Sequence, residues 1–347
     1  MEGKKQYNPV VDVLRIISIL AVIFIHTTTR TLEASAFDLQ KIPWTLFLNQ
    51  IFRFAVPLFF MISGFVLELN YHLHESYFTY LKKRINRIFI PYVFWSGIYY
   101  FFVYTKHTEN FFQSLLAGDA SYQLYFIPAL LIFYLIFPFI HNFYKFLGSK
   151  WITILFGLIQ LSLLYYDYYV QPLRIFSPVK TALFNYFVFY VGIALANNKE
   201  RFISLIRKWK LIFLFGASIF AFYVFYEGQS IYIKTHNYLS FYSQWRPSVL
   251  IYTFLLAGSL YYIFNRNIIR ISIIKTLSRL SFFVFFIHVI ILEVIWYGIG
   301  KNIFLLAHGT IAEKLWYDPL LFIVVAIISF SAAFVAHKIP KLSKLSG

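Results

Sequence analysis

Residues 10–29 read VVDVLRIISILAVIFIHTTT. After Asp12 the run is apolar except for Arg15, Ser18 and the closing His26 and threonines. At 1.5 Å of rise per residue, a helix of about 20 residues crosses the ~30 Å hydrocarbon core of a bilayer. Hydrocarbon offers no partner to backbone N–H and C=O groups, so a stretch of this kind crosses as an α-helix. Comparable stretches recur at roughly 46–68, 86–104, 122–143, 151–169, 179–197, 209–226, 247–264, 280–299 and 318–337. The expected fold is therefore all-α: a polytopic membrane protein of about ten transmembrane helices with both termini cytoplasmic. The loops between the stretches are too short for a separate soluble domain, so residues 1–347 read as one transmembrane domain.

Composition agrees. The chain is 60% hydrophobic and 22% aromatic but only 13% charged, with mean hydropathy +0.68. A soluble domain is nearer half apolar and a quarter charged. With no cysteine at all, disulfides, thiolate metal sites and a cysteine nucleophile are excluded.

The net charge of +17 is mostly topology. With the N-terminus inside, 20 of the 31 Lys and Arg fall on the cytoplasmic side. Nine fall outside: Arg30, Lys41, Lys106, Arg174, Lys180, Lys234, Arg246, Lys301 and Lys314. Arg15 and Arg53 lie within or at the edge of spans. This bias follows the positive-inside rule and calls for no nucleic acid. The N-terminus also loosely mimics a cleavable signal peptide, with Lys4 and Lys5 before the apolar run and Ala34-Ser35-Ala36 after it. Asp12 and Arg15 lie unusually deep for that reading, and cleavage would remove His26.

Ionisable groups inside a bilayer are costly and mark functional candidates. Arg15 and His26 are eleven residues apart, about three turns, and share one helix face with Ser18 and Val22. Their axial separation is about 16 Å. Two readings stay open: the lining of a polar cavity or tunnel, or an arginine snorkelling to headgroups and a histidine at the far interface. In RFAVPLFFMISGF, residues 53–65, Pro57 can kink the helix and Ser63-Gly64 permit close packing. Arg53 there is a site candidate or a headgroup anchor, and Glu68 is placed to pair with Arg15. Lys82, Lys83, Arg84 and Arg87 suit the phosphates of a nucleotide-like ligand, or anchor the chain to anionic lipid. In SFFVFFIHVIILE, residues 281–293, Ser281 and His288 share a face two turns apart, with Glu293 beyond. Asp167 and Glu227 read as interface residues at the ends of spans, and 227–246 as an aromatic, amide-rich outer loop. Nothing has metal-ligand spacing, a phosphate-binding glycine loop or a nucleophile elbow.

These residues together resemble the membrane acyltransferase 3 family. An arginine, ten residues and a histidine in the first span match Arg15 and His26. Arg53 to Phe65, Lys82 to Pro91, LYFIPALLIFYLIF at 124–137 and Ser281 to His288 follow in family order. The likeness covers nearly the whole chain, in the style of short members without an extracellular domain. It implies an O-acyltransferase that takes an acyl group from cytoplasmic acyl-CoA, acetyl-CoA foremost, to a surface polysaccharide or lipid-linked glycan. By the same likeness His26 is the catalytic base or a transient acyl carrier, and Arg15 positions the donor. Lys83, Arg84 and Arg87 then hold the CoA phosphates, and His288 is a recurrent late histidine of open role. No metal is implied. The expected setting is the bacterial plasma membrane, with homo-oligomers or biosynthetic partners left open. Some short members are described as polysaccharide exporters, which keeps a transport reading alive.

Overall fold

The computed structural model describes residues 9–35, 43–71, 76–104, 109–236, 238–265, 271–306 and 315–343. Lys4, Lys5, Ala36, Lys41, Lys106, Arg266, Arg270, Lys314 and Lys344, which bear on orientation or cleavage, lie outside the described residues, as do both termini.

Every regular element among the described residues is a helix. In order come α1 (Pro9–Ala34), α2 (Pro43–Ile51), α3 (Ala55–Leu69), α4 (Tyr77–Ile98), α5 (Phe111–Ala117), α6 (Phe126–Leu147), α7 (Lys150–Tyr165), α8 (Ser177–Leu183), α9 (Tyr186–Asn197) and α10 (Lys199–Lys208). Then follow α11 (Lys210–Thr235), α12 (Tyr238–Tyr242), α13 (Pro247–Phe264), α14 (Ile271–Ile295), α15 (Lys301–Leu306), α16 (Tyr317–Lys338) and α17 (Pro340–Ser343).

Among the described residues, eight helices are long and apolar enough to cross a membrane, or nine if the pair α8 and α9, bent by 46°, forms one broken span. All ten apolar stretches read from the sequence are helical. The one that falls short of this apolarity is 86–104, where α4 carries Arg87, Pro91, Tyr92, Trp95 and Ser96 before a π-helical turn at Tyr99–Val103. The expected loop at 227–246 is a correction: α11 continues to Thr235, and α12 occupies part of the segment before α13. Pro57 does not make the break in the second span. The chain turns at residues 52–54, and Pro57 sits in the first turn of α3, where its missing N–H costs no helical bond.

The chain divides into two compact units. A flanking unit comprises Pro9–Val56 and Ile206–His337, and an inserted unit holds Pro57–Leu205 with Lys338 onward.

In the flanking unit α1 packs along α14, and α11 lies against α13 and α2. Arg15 bonds Ser278, His26 faces His288, and Arg30 pairs with Glu293. The partners differ by 263, 262 and 263 positions, so α1 and α14 run parallel and in step. Phe24 fills the core beside them, its ring 4.7 Å from that of Phe52 and 4.8 Å from that of Phe322.

In the inserted unit the core is aromatic: Phe60, Phe133, Phe137 and Phe189 are fully buried. Phe133 and Phe189 stack with centroids 4.4 Å apart. The expected close packing at Gly64 is present. A Cβ on Gly64 would strike the backbone oxygen of Phe189, and one on Gly192 the backbone oxygen of Met61. The two glycines let α3 and α9 meet backbone to backbone, the usual role of small residues between membrane helices.

Candidate active site

The parallel run of α1 and α14 brings two histidines together. The rings of His26 and His288 lie with centroids 5.4 Å apart and planes tilted by 32°. His288 is fully buried. Its Nδ1 is 3.0 Å from the Val284 carbonyl oxygen. A carbonyl only accepts, so Nδ1 carries the hydrogen and Nε2 is left as the acceptor edge of the neutral ring. That Nε2 is buried and has no partner among the described residues. His26 is half-buried, and the charges of Arg53 and Arg30 reach it.

Both cations are held in place. Arg30 pairs with Glu293 across the two helices and, at 2.8 Å, with Glu33 on its own helix. Arg53 is 7% exposed. It donates to the side-chain oxygen of Asn49 and, at 2.8 Å, to the Tyr242 carbonyl. Asn49 in turn donates to Thr28 Oγ1 at 2.9 Å and to the Ile25 carbonyl at 3.2 Å, one residue from His26. The headgroup-anchor reading of Arg53 therefore falls: the turn at 52–54 folds its side chain into the unit. Asp318 forms a separate buried group, accepting from Thr31 at 2.7 Å and from Thr45. Arg30, Asn49 and Asp318 were missed as site residues in the sequence. Asn49 had a usable signal, since it stands one helical turn before Arg53.

Arg15 forms a second polar island about 16 Å down the helix. It donates to Asp12 at 3.1 Å and to Ser278 at 2.8 Å. Between the islands, Ser18 and Val22 are buried, and the Ser18 hydroxyl is taken by the Leu14 carbonyl at 2.8 Å. The face is thus two polar patches separated by a packed segment. On α14 the Ser281 hydroxyl bonds the Ser278 carbonyl at 2.7 Å, and Ser278 is the serine that reaches across to α1. Glu68 belongs to the inserted unit and takes His141 as its partner, at 2.8 Å, in place of the expected Arg15.

The basic cluster also belongs to the inserted unit. Lys82, Lys83 and Arg87 are exposed on the first turns of α4, and Arg84 lies over the Tyr80 ring at 5.3 Å. Lys83 and Arg87, one turn apart, share a face. Three cations counted as outer charges serve inside the protein: Arg30 in its carboxylate pairs, Lys180 against Asp167 at 2.8 Å and Arg246 against Glu227 at 3.3 Å. Arg246 is fully buried and also bonds Gln50, so Asp167 and Glu227 are buried ion-pair partners and not interface residues. Among the described residues no group of three or more His, Asp or Glu is placed to hold a metal ion.

A family model described as "Acyltransferase domain" matches residues 8–338. The chain belongs to the acyltransferase 3 family. The match runs through both units and includes His26, His288 and the basic cluster. A protein of Staphylococcus aureus named "Probable poly-beta-1,6-N-acetyl-D-glucosamine export protein" is 25% identical over 215 residues, 58% of this chain. The aligned part spans 60% of that relative's length. A Staphylococcus epidermidis protein of the same name is 24% identical over 292 residues, 81% of this chain and 80% of the relative. No solved structure matches the chain.

Proposed function

We propose that this membrane protein is an acyl-CoA-dependent O-acyltransferase that esterifies a cell-surface polysaccharide, with acetyl the group transferred. The observation that carries this reading is the His26–His288 pair, with Arg30 one helical turn beyond His26 and Asn49 linking the neighbouring Ile25 carbonyl to Arg53. Ester transfer from a thioester needs a base for the acceptor hydroxyl and positive charge for the carbonyl oxygen. An imidazole, with an unperturbed pKa of about 6.5, suits the first task at neutral pH. His26 takes the hydroxyl proton as the acceptor oxygen attacks the thioester carbon, and the C–S bond breaks to release CoA. Alternatively His26 carries the acyl group between donor and acceptor. His288, its tautomer fixed by Val284, supports His26 from behind. Arg30 and Arg53 stabilise the oxyanion, Arg15 positions the donor, and Lys83, Arg84 and Arg87 grip its phosphates. The bacterial plasma membrane supplies the setting, with CoA on one side and the exported polymer on the other.

The test is incorporation of radiolabelled acetyl from acetyl-CoA into polymer by membranes that hold the wild type or His26→Ala at equal expression. Label that depends on His26 supports the reading, and equal label in both overturns it.

A second reading, polysaccharide export, is favoured by the names of the relatives. It predicts that cells lacking the protein keep full-length polymer inside, whereas the transferase reading predicts exported polymer without esters.

A further inference from the structure

The inserted unit holds a buried cluster that the proposed transfer chemistry does not use. His141 is 4% exposed. Its Nδ1 lies 3.0 and 2.8 Å from the two carboxylate oxygens of Glu68, which also accepts from Asn197 at 2.8 Å. A carboxylate only accepts, so Nδ1 donates and Nε2 is the free edge of the ring. That Nε2 is buried without a partner among the described residues. Tyr80, 1% exposed, has a buried hydroxyl in the same condition. The Tyr71 ring joins the two, 4.7 Å from His141 and 5.7 Å from Tyr80.

Two buried polar atoms left open in one cluster call for an outside partner, because each costs the desolvation of an unmade hydrogen bond. The surroundings define that partner. The carboxylate of Glu68 is occupied by His141 and Asn197. Arg84 stands over the Tyr80 ring at 5.3 Å, and Lys82, Lys83 and Arg87 are exposed on the same helix end. The Tyr80 hydroxyl and the Arg84 guanidinium offer hydrogen as they stand, and His141 Nε2 offers one when the ring carries its second hydrogen, which suits a ligand whose oxygens only accept. Phosphate fits, and a ring that carries both hydrogens donates one to Glu68 and one to a phosphate.

We propose that His141, positioned by Glu68, and the Tyr80 hydroxyl form a binding site for a phosphate group beside the basic turn of α4. The phosphate belongs either to a soluble nucleotide-type donor or to a phospholipid headgroup. The first source rests on the acyl-CoA reading of the protein's function, and the second does not.

The experiment uses the full chain in phosphatidylcholine nanodiscs, with CoA as the probe in titration calorimetry. A parallel set contains phosphatidylglycerol, and native mass spectrometry counts the lipid retained. Tyr80→Phe removes only an oxygen that bonds nothing among the described residues, so it leaves the fold intact. The double variant Glu68→Gln/His141→Gln removes the dyad without stranding a charge, and melting temperatures check both. Loss of about tenfold in CoA affinity in each variant supports the site with the nucleotide source. CoA bound equally by all three proteins, with equal lipid retention, overturns the site and leaves the donor reading standing. No CoA binding by the wild type, but phosphatidylglycerol retention lost in both variants, supports the site with the lipid source and overturns the donor reading. Neither ligand bound by the wild type overturns both.

Discussion

The rings of His26 and His288 face each other across α1 and α14 with centroids 5.4 Å apart, at matching heights on two parallel helices. The two imidazoles are predicted to act as a unit. His26→Ala lowers acetyl transfer by about 10²–10⁴, the usual contribution of a general base. His288→Ala lowers it as well, and the double variant is little worse than the worse single one, because members of one unit do not add. Initial rates of label transfer in membranes at matched expression check this, and additive losses count against it.

Arg30 and Glu293 tie the helices together beyond the histidines, with side chains 18% and 10% exposed. Removing Glu293 breaks the pair across α1 and α14 and leaves Arg30 only its more exposed partner Glu33 of the two carboxylates. Glu293→Ala is expected to destabilise the protein by up to about 3 kcal/mol, and Arg30→Met/Glu293→Leu by less than Glu293→Ala alone. Thermal unfolding in detergent measures the order of the three proteins.

Gly64 and Gly192 set the distance between α3 and α9. Gly64→Leu forces a side chain into the Phe189 backbone and is expected to cost about 3 kcal/mol or more. Gly97, where an added Cβ meets nothing, tolerates Gly97→Ala with an unchanged melting temperature. Size-exclusion profiles and melting curves of the two variants separate these outcomes.

Much of this was legible in the sequence, because lipid simplifies the rules. A long apolar run has one way to satisfy its backbone, so all ten stretches came out as helices. Arg15 and His26 were found because they are costly in hydrocarbon and lie three turns apart. The partners were not legible. Glu68 read as a mate for Arg15, but which helix packs on which is a tertiary fact, and Glu68 pairs with His141. Arg246 read as a loop cation and is fully buried in an ion pair, since α11 runs a further nine residues past the expected end of its span. Ser281 has the right spacing from His288, yet its hydroxyl is taken by the helix backbone, as serine hydroxyls often are.

The orientation can be tested cleanly because the chain contains no cysteine. Lys82→Cys is expected to react with an impermeant maleimide only after the cells are permeabilised, and Lys234→Cys in intact cells. The reverse pattern inverts the bundle, and with it the side from which a CoA donor approaches the basic cluster.

The central claim is that the histidine face of α1 and α14 acylates an exported glycan. Mass analysis of the surface polysaccharide from cells carrying the wild type or His26→Ala at equal abundance tests it most directly. The account predicts polymer of normal length and export from both, with ester groups on the wild-type material and none on the variant's. Ester content unchanged by His26→Ala contradicts it.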